Sequence, residues 1–121
     1  MSYKKPSVPT RFFDAFWESV GDLSGKTFVV TGTTSGTGRI AARSLAEKGA
    51  RVVMLNRPSS RSEKVQEEMD RLFADGRVSS VDCDLQQFAS VREAAKRLNE
   101  LCSDGGIYAL INNAGILREE R

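Results

Sequence analysis

Apolar residues fall along this chain in short unbroken runs, separated by longer stretches with a helical period. Phe28, Val29 and Val30 form the first run, within Lys26 to Thr31. Val52, Val53, Met54 and Leu55 form the second, within Arg51 to Asn56. A weaker third covers Arg77 to Asp82, and a fourth covers Ile107 to Ile111. Strands covered on both faces read as continuous apolar runs, so the pattern predicts a parallel sheet flanked by helices. The first helix is predicted over Gly38 to Lys48, with Ala41, Ala42, Leu45 and Ala46 on one side and Gly49 as its stop. The second, Ser62 to Ala74, places Val65, Met69 and Leu72 together. Ser60-Arg61-Ser62-Glu63 fits a capping box before it, and Asp75-Gly76 ends it. A second capping-box match, Ser90-Val91-Arg92-Glu93, opens a helix with Val91, Ala94, Ala95, Leu98, Leu101 and Cys102 on one face.

Strands alternating with helices imply right-handed parallel crossovers and an open α/β sheet. The predicted fold is an incomplete doubly wound parallel sheet of Rossmann type, with strand order 3-2-1-4. The order reverses between the first and fourth strands, and ligands of such sheets bind outside the carboxyl ends of the strands there. Ahead of the sheet, Met1 to Thr10 reads as irregular, with Pro6 and Pro9. Phe12, Phe13, Phe16, Trp17 and Val20 then make an apolar stripe at helical spacing, expected to pack on the domain that follows. Residues 1–22 are thus taken as an extension with an amphipathic helix, and 23–121 as the domain.

Composition narrows the chemistry. The 121 residues contain no histidine, which removes Ser-His-Asp and Cys-His hydrolysis and His-ligated zinc. A net charge of +2 argues for neither nucleic acid nor an anionic membrane. No apolar run approaches the roughly 20 residues that span a bilayer. Cys83 and Cys102 have no metal-ligand spacing and form no disulfide framework, so free thiols and a cytoplasmic setting are expected, with no metal.

Two motifs lie where the topology puts the crevice. Gly32, Gly36 and Gly38 sit at a strand-to-helix turn, where glycine gives the backbone access to a ligand and the helix N-terminus suits a pyrophosphate. Thr34, Ser35 and Thr37 lie between these glycines, and the hydroxyls of Thr34 and Ser35 are available for phosphate or ribose. Asn113, Ala114 and Gly115 follow the fourth strand, and Asn112 is expected to tie the central strands through its amide. Asp84 is placed to accept from an adenine amino group, with Leu85 against the ring. An acidic residue is expected at the end of the second strand of an NAD site. Asn56 and Arg57 stand there instead, followed by Arg61. Asn56 removes the repulsion of a 2′-phosphate and Arg57 can bond it, for about 1.5–3 kcal/mol, so the pattern favours NADP.

The set Thr31-Gly32-x-x-x-Gly36-x-Gly38, Asp82-x-Asp84-Leu85 and Asn112-Asn113-Ala114-Gly115 resembles the N-terminal motifs of the short-chain dehydrogenase/reductases. Asn56-Arg57 and Asp84-Leu85-x-x-Phe88-x-Ser90-Val91 are most similar to the retinol-dehydrogenase-type members. Thr37 replaces the aliphatic residue usual in that family. The resemblance implies hydride transfer between NADP and a small carbonyl or alcohol substrate. The family's catalytic Ser and Tyr-x-x-x-Lys are absent here: Tyr3 is followed four residues on by Ser7 and Tyr108 by Asn112, so no catalytic residue is assigned. The chain therefore reads as a truncated oxidoreductase that retains cofactor binding, with a non-catalytic dinucleotide-binding or interaction module as the alternative. Ile107 to Ile111 would be an apolar sheet edge, through which the chain is expected to self-associate.

Overall fold

The protein, described by a computed structural model over residues 11–116, contains four helices and four strands among those residues. The predicted irregular opening, Met1 to Thr10, lies outside the described residues. In chain order the elements are α1 (Phe13–Ser19), β1 (Thr27–Thr31), α2 (Gly36–Glu47) and β2 (Arg51–Asn56). Then follow α3 (Ser60–Leu72), β3 (Val78–Asp82), α4 (Phe88–Leu101) and β4 (Ala109–Ile111). The strands form one sheet in the order β3-β2-β1-β4, every pair parallel. The predicted order and α/β class are both found.

The apolar runs work because a strand turns successive side chains to opposite faces, and here both faces are covered. Phe28, Val30, Val52, Met54 and Val78 face one side and pack with Ala42 and Ala46 of α2 and Val65 and Met69 of α3. Val29, Val53, Leu55 and Val81 face the other and meet Ala94 and Leu98 of α4, with Cys83 and Cys102 completing that layer. Ala42 and Ala46 are fully buried, so their small side chains set how closely α2 approaches the sheet. Among the described helices, α4 alone covers its face.

Several boundaries differ from the sequence reading. The box that opens α3 uses Ser59 and Ser62, not Ser60 and Glu63. The Ser59 hydroxyl accepts from Ser62 N at 3.1 Å, and Ser59 N donates to Ser62 Oγ at 3.0 Å, so a serine replaces the usual longer acid. The second predicted box does not form. Helix α4 begins at Phe88, and Ser90 Oγ instead accepts from Asp84 N at 2.8 Å, drawn off to the preceding loop. Helix α2 starts at Gly36, two residues early, which brings the last two glycines into its first turn.

The apolar stripe at the N-terminus packs less than expected. Helix α1 is seven residues long and buries none of them, and Phe12 and Phe16 are 71% and 61% exposed. Trp17 is its main link to the domain, stacked on Phe13 and lying under the Lys48 ammonium, 5.4 Å from the ring centre. At the other end of the chain, β4 is only three residues long. Among the described strands it pairs with β1 alone, and Leu110 at its middle is 54% exposed.

Core packing can be tested directly. Met54, fully buried in the central layer, should cost about 2–5 kcal/mol when changed to Ala. The Phe88→Ala change, at a residue 80% exposed, should stay within roughly 0.5 kcal/mol. Equilibrium urea unfolding of the two variants measures the contrast.

Candidate functional site

The two glycine motifs meet at the carboxyl ends of β1 and β4. Parallel pairing of these strands, with Val30 opposite Ile111, brings Thr31 alongside the turn that follows β4. The Thr31 hydroxyl, 3% exposed, accepts from Asn113 N at 3.0 Å and Ala114 N at 2.9 Å. In return, Asn113 Nδ2 donates to Thr31 O at 3.2 Å and Gly32 O at 3.1 Å. The amide that ties the central strands therefore belongs to Asn113. Asn112, given that role from sequence, is exposed.

This contact explains two of the glycines. A Cβ on Gly32, which has φ +70°, would sit 2.8 Å from the Ala114 Cα. A Cβ on Gly38 would land on the Gly32 carbonyl oxygen and 2.5 Å from Asn113 Nδ2. Both positions serve the close approach of backbone to backbone. Gly36 differs: its φ is +58°, and a Cβ there would meet open space, as it would at Gly115. Open backbone for a ligand thus lies at Gly36 and Gly115.

The start of α2 suits an anion. Ser35, its N-cap, makes no side-chain capping bond, and no acidic residue lies in the first turn. The helix dipole and uncapped N–H groups there favour negative charge. Ser35 and Thr37 are exposed and Thr34 is half-buried, at the same rim.

Asn56 points inward. It is 5% exposed; its Oδ1 accepts from Thr33 N at 2.8 Å and its Nδ2 donates to Thr33 Oγ1 at 2.7 Å. Arg57 and Arg61, just beyond, are exposed. Asp84 is largely engaged in its own loop: Oδ1 accepts from Gln86 N at 3.0 Å and Oδ2 from Gln87 Nε2 at 3.2 Å. Leu85 beside it is 50% exposed. Cys83 is buried, and desolvation together with the neighbouring Asp84 carboxylate pushes its thiol pKa up, which keeps it neutral and unreactive.

Two groups that brace these elements do not stand out in the sequence. Thr33 is an ordinary loop residue until its partner is known. The ion pair of Arg39 on α2 with Glu68 on α3 is the other, buried at Glu68, and its residues match any helical surface charges.

An open parallel sheet with a glycine-rich strand-to-helix turn at its switch point defines the class of α/β domains that hold nucleotides there. Within that class, the chain belongs to the short chain dehydrogenase family, whose description matches residues 26–121. It is 37% identical to the oxidoreductase UcpA of Salmonella typhimurium over 82% of this chain and 36% of that protein. With human retinol dehydrogenase 11 it shares 35% identity over 93% of this chain and 35% of that protein, in line with the retinol-dehydrogenase-like resemblance. The crystal structure of L-sorbose reductase from Gluconobacter frateurii, complexed with NADPH and L-sorbose, superposes with a TM-score of 0.70 at 31% identity. That match covers 82% of this chain and 36% of that one. The chain thus spans little more than a third of the length of these relatives.

The glycine contacts yield a ranked expectation. The Gly38→Ala change should lower stability by roughly 3 kcal/mol or more, because backbone at Gly32 must move. Gly115→Ala, into open space, should be close to neutral. Thermal unfolding of both variants checks the order, and equal losses would contradict it.

Proposed function

We propose that this chain is the cofactor-holding part of an NADP-dependent short-chain oxidoreductase, and that the whole protein transfers hydride between the nicotinamide and a small carbonyl or alcohol substrate. The observation that carries the NADP preference is the end of β2. No carboxylate stands there, the Asn56 amide is turned inward on Thr33, and the next residue, Arg57, is exposed. A 2′-phosphate at this rim meets the Arg57 guanidinium, with no carboxylate on β2 itself.

The residues present fit a dinucleotide. The uncapped N–H groups at Ser35, Gly36 and Thr37 would hold the pyrophosphate, with the Thr34 and Ser35 hydroxyls beside them. Gly36 and Gly115 leave room for it, since even a Cβ there touches nothing. Asn113 and Ala114 form the opposite wall, held by Thr31. Leu85 offers an apolar surface for the adenine. The Asp84 carboxylate, engaged by Gln86 N and Gln87 Nε2, would add its remaining accepting capacity toward the adenine amino group. When bound, the nicotinamide supplies or accepts the hydride. No tyrosine of this chain has a lysine four residues on, so the residues here bind and orient while proton transfer is assigned to none of them. The L-sorbose reductase complexed with NADPH, similar over 82% of this chain, supports the same cofactor.

No helix among the described residues is long and apolar enough to cross a membrane. The outer edge of β4, flanked by the exposed Ile107, Tyr108 and Ile116, supports self-association of the chain through backbone pairing.

Two outcomes follow. The purified chain should bind NADPH more tightly than NADH, and Arg57→Gln should weaken NADPH by about one to two decades while leaving NADH nearly unchanged. Fluorescence titration of both nucleotides measures this, and absence of NADPH binding would overturn the reading. Sedimentation velocity should show a mass that rises with concentration, and a monomer at every concentration would remove the edge contact.

A further inference from the structure

The position that ends β2 is normally read as a contact to the cofactor ribose, yet Asn56 is turned away from the crevice. It is 5% exposed, and Thr33, its partner, is fully buried. Thr33 N donates to Asn56 Oδ1 at 2.8 Å, and Asn56 Nδ2 donates to Thr33 Oγ1 at 2.7 Å, so each end of the amide is already used. The Asn56 backbone is committed as well, its carbonyl accepting from Cys83 N at 2.9 Å beyond β3. One bond lower, Gly32 N donates to Leu55 O at 3.1 Å. The glycine-rich loop is therefore fastened to β2 at two successive residues. The second fastening depends on one side chain.

We propose that Asn56 is a positioning residue, clamping the glycine-rich loop through Thr33, and that discrimination between the two nicotinamide dinucleotides falls to Arg57 instead. The inference rests on the cofactor reading above and deepens it. Without the amide, Thr33 N–H and Oγ1 lose buried partners, and the segment Thr33 to Gly36 loses its tie to the sheet. Since the loop would hold the pyrophosphate, which NADPH and NADH share, release should weaken both by one factor. A residue touching the 2′-phosphate would change their ratio.

The test compares Asn56→Leu, Thr33→Val, the double variant and Thr33→Ser in the full 121-residue chain, by titration with NADPH and with NADH. Asn56→Leu should weaken both nucleotides equally, by about five- to thirtyfold. The double variant should bind no worse than Asn56→Leu, because the two side chains act as one unit. Thr33→Ser, which keeps the hydroxyl, should stay within about twofold of the parent. Amide exchange in the ligand-free chain gives a separate readout. Thr33 N–H should exchange at least tenfold faster in Asn56→Leu, relative to the core amide of Val53. Should Asn56→Leu fail to fold, the near-isosteric Thr33→Val carries the binding comparison, again with an unchanged ratio. A shifted NADPH-to-NADH ratio, additive losses, or unchanged exchange at Thr33 would each overturn the clamp. A parent chain that binds neither nucleotide overturns the cofactor reading instead, and exchange at Thr33 still decides whether the clamp exists.

Discussion

The hydroxyl of Thr31 is the point on which the crevice depends. It lies almost fully buried at the end of β1 and takes two backbone N–H groups, from Asn113 and Ala114, that no strand ladder reaches. Asn113 answers by donating to the Thr31 and Gly32 carbonyls. Asn113 N also reaches Ile111 O at 3.0 Å, while Ala114 N is held by the Thr31 hydroxyl, and this reciprocal set fixes how the two motifs meet. Segments about eighty residues apart in sequence are thereby held as one surface.

Glycine at 32 and at 38 follows from that surface rather than from any ligand. A Cβ at Gly32 would meet Ala114, and one at Gly38 would meet the Gly32 carbonyl and the Asn113 amide, so no room remains at either position. The space that remains open, at Gly36 and Gly115, is what a nucleotide could use. The division matters because the glycines of one motif differ: Gly32 and Gly38 are set by internal packing, while Gly36 faces open space. The same economy appears at β2, where Asn56 fastens the loop and leaves Arg57 facing outward.

The fold was legible because both sheet faces are covered. The central strands β1 and β2, covered on both faces, leave unbroken apolar runs. Strand β3 is interrupted by Ser79 and Ser80 and β4 is partly exposed, yet all four strands of the observed sheet were placed. The order 3-2-1-4 was expected from the strand–helix alternation and its right-handed crossovers, with the glycine turn falling at the switch point as a second line. Helix starts were less legible. Three serines, Ser59, Ser60 and Ser62, lie at the start of α3, and the choice of Ser59 as cap turns on φ and ψ that no spacing reveals. Ser90 was drawn to Asp84 by a loop whose path the pattern does not encode. The α1 stripe misled for a related reason: helical spacing identifies an apolar face but not whether a surface lies opposite it.

Sequence alone determined the parallel sheet, its strand order and the meeting of the two glycine motifs at the carboxyl ends of the strands, because these depend on local periodicity, crossover chirality and glycine's backbone freedom. Only the tertiary structure decided which amide of Asn112 and Asn113 joins the strands, which glycines serve packing, and that Asn56 faces Thr33. Those choices are set by the direction of individual side chains across strands distant in sequence. Direction of that kind is fixed by packing, which a linear pattern does not contain.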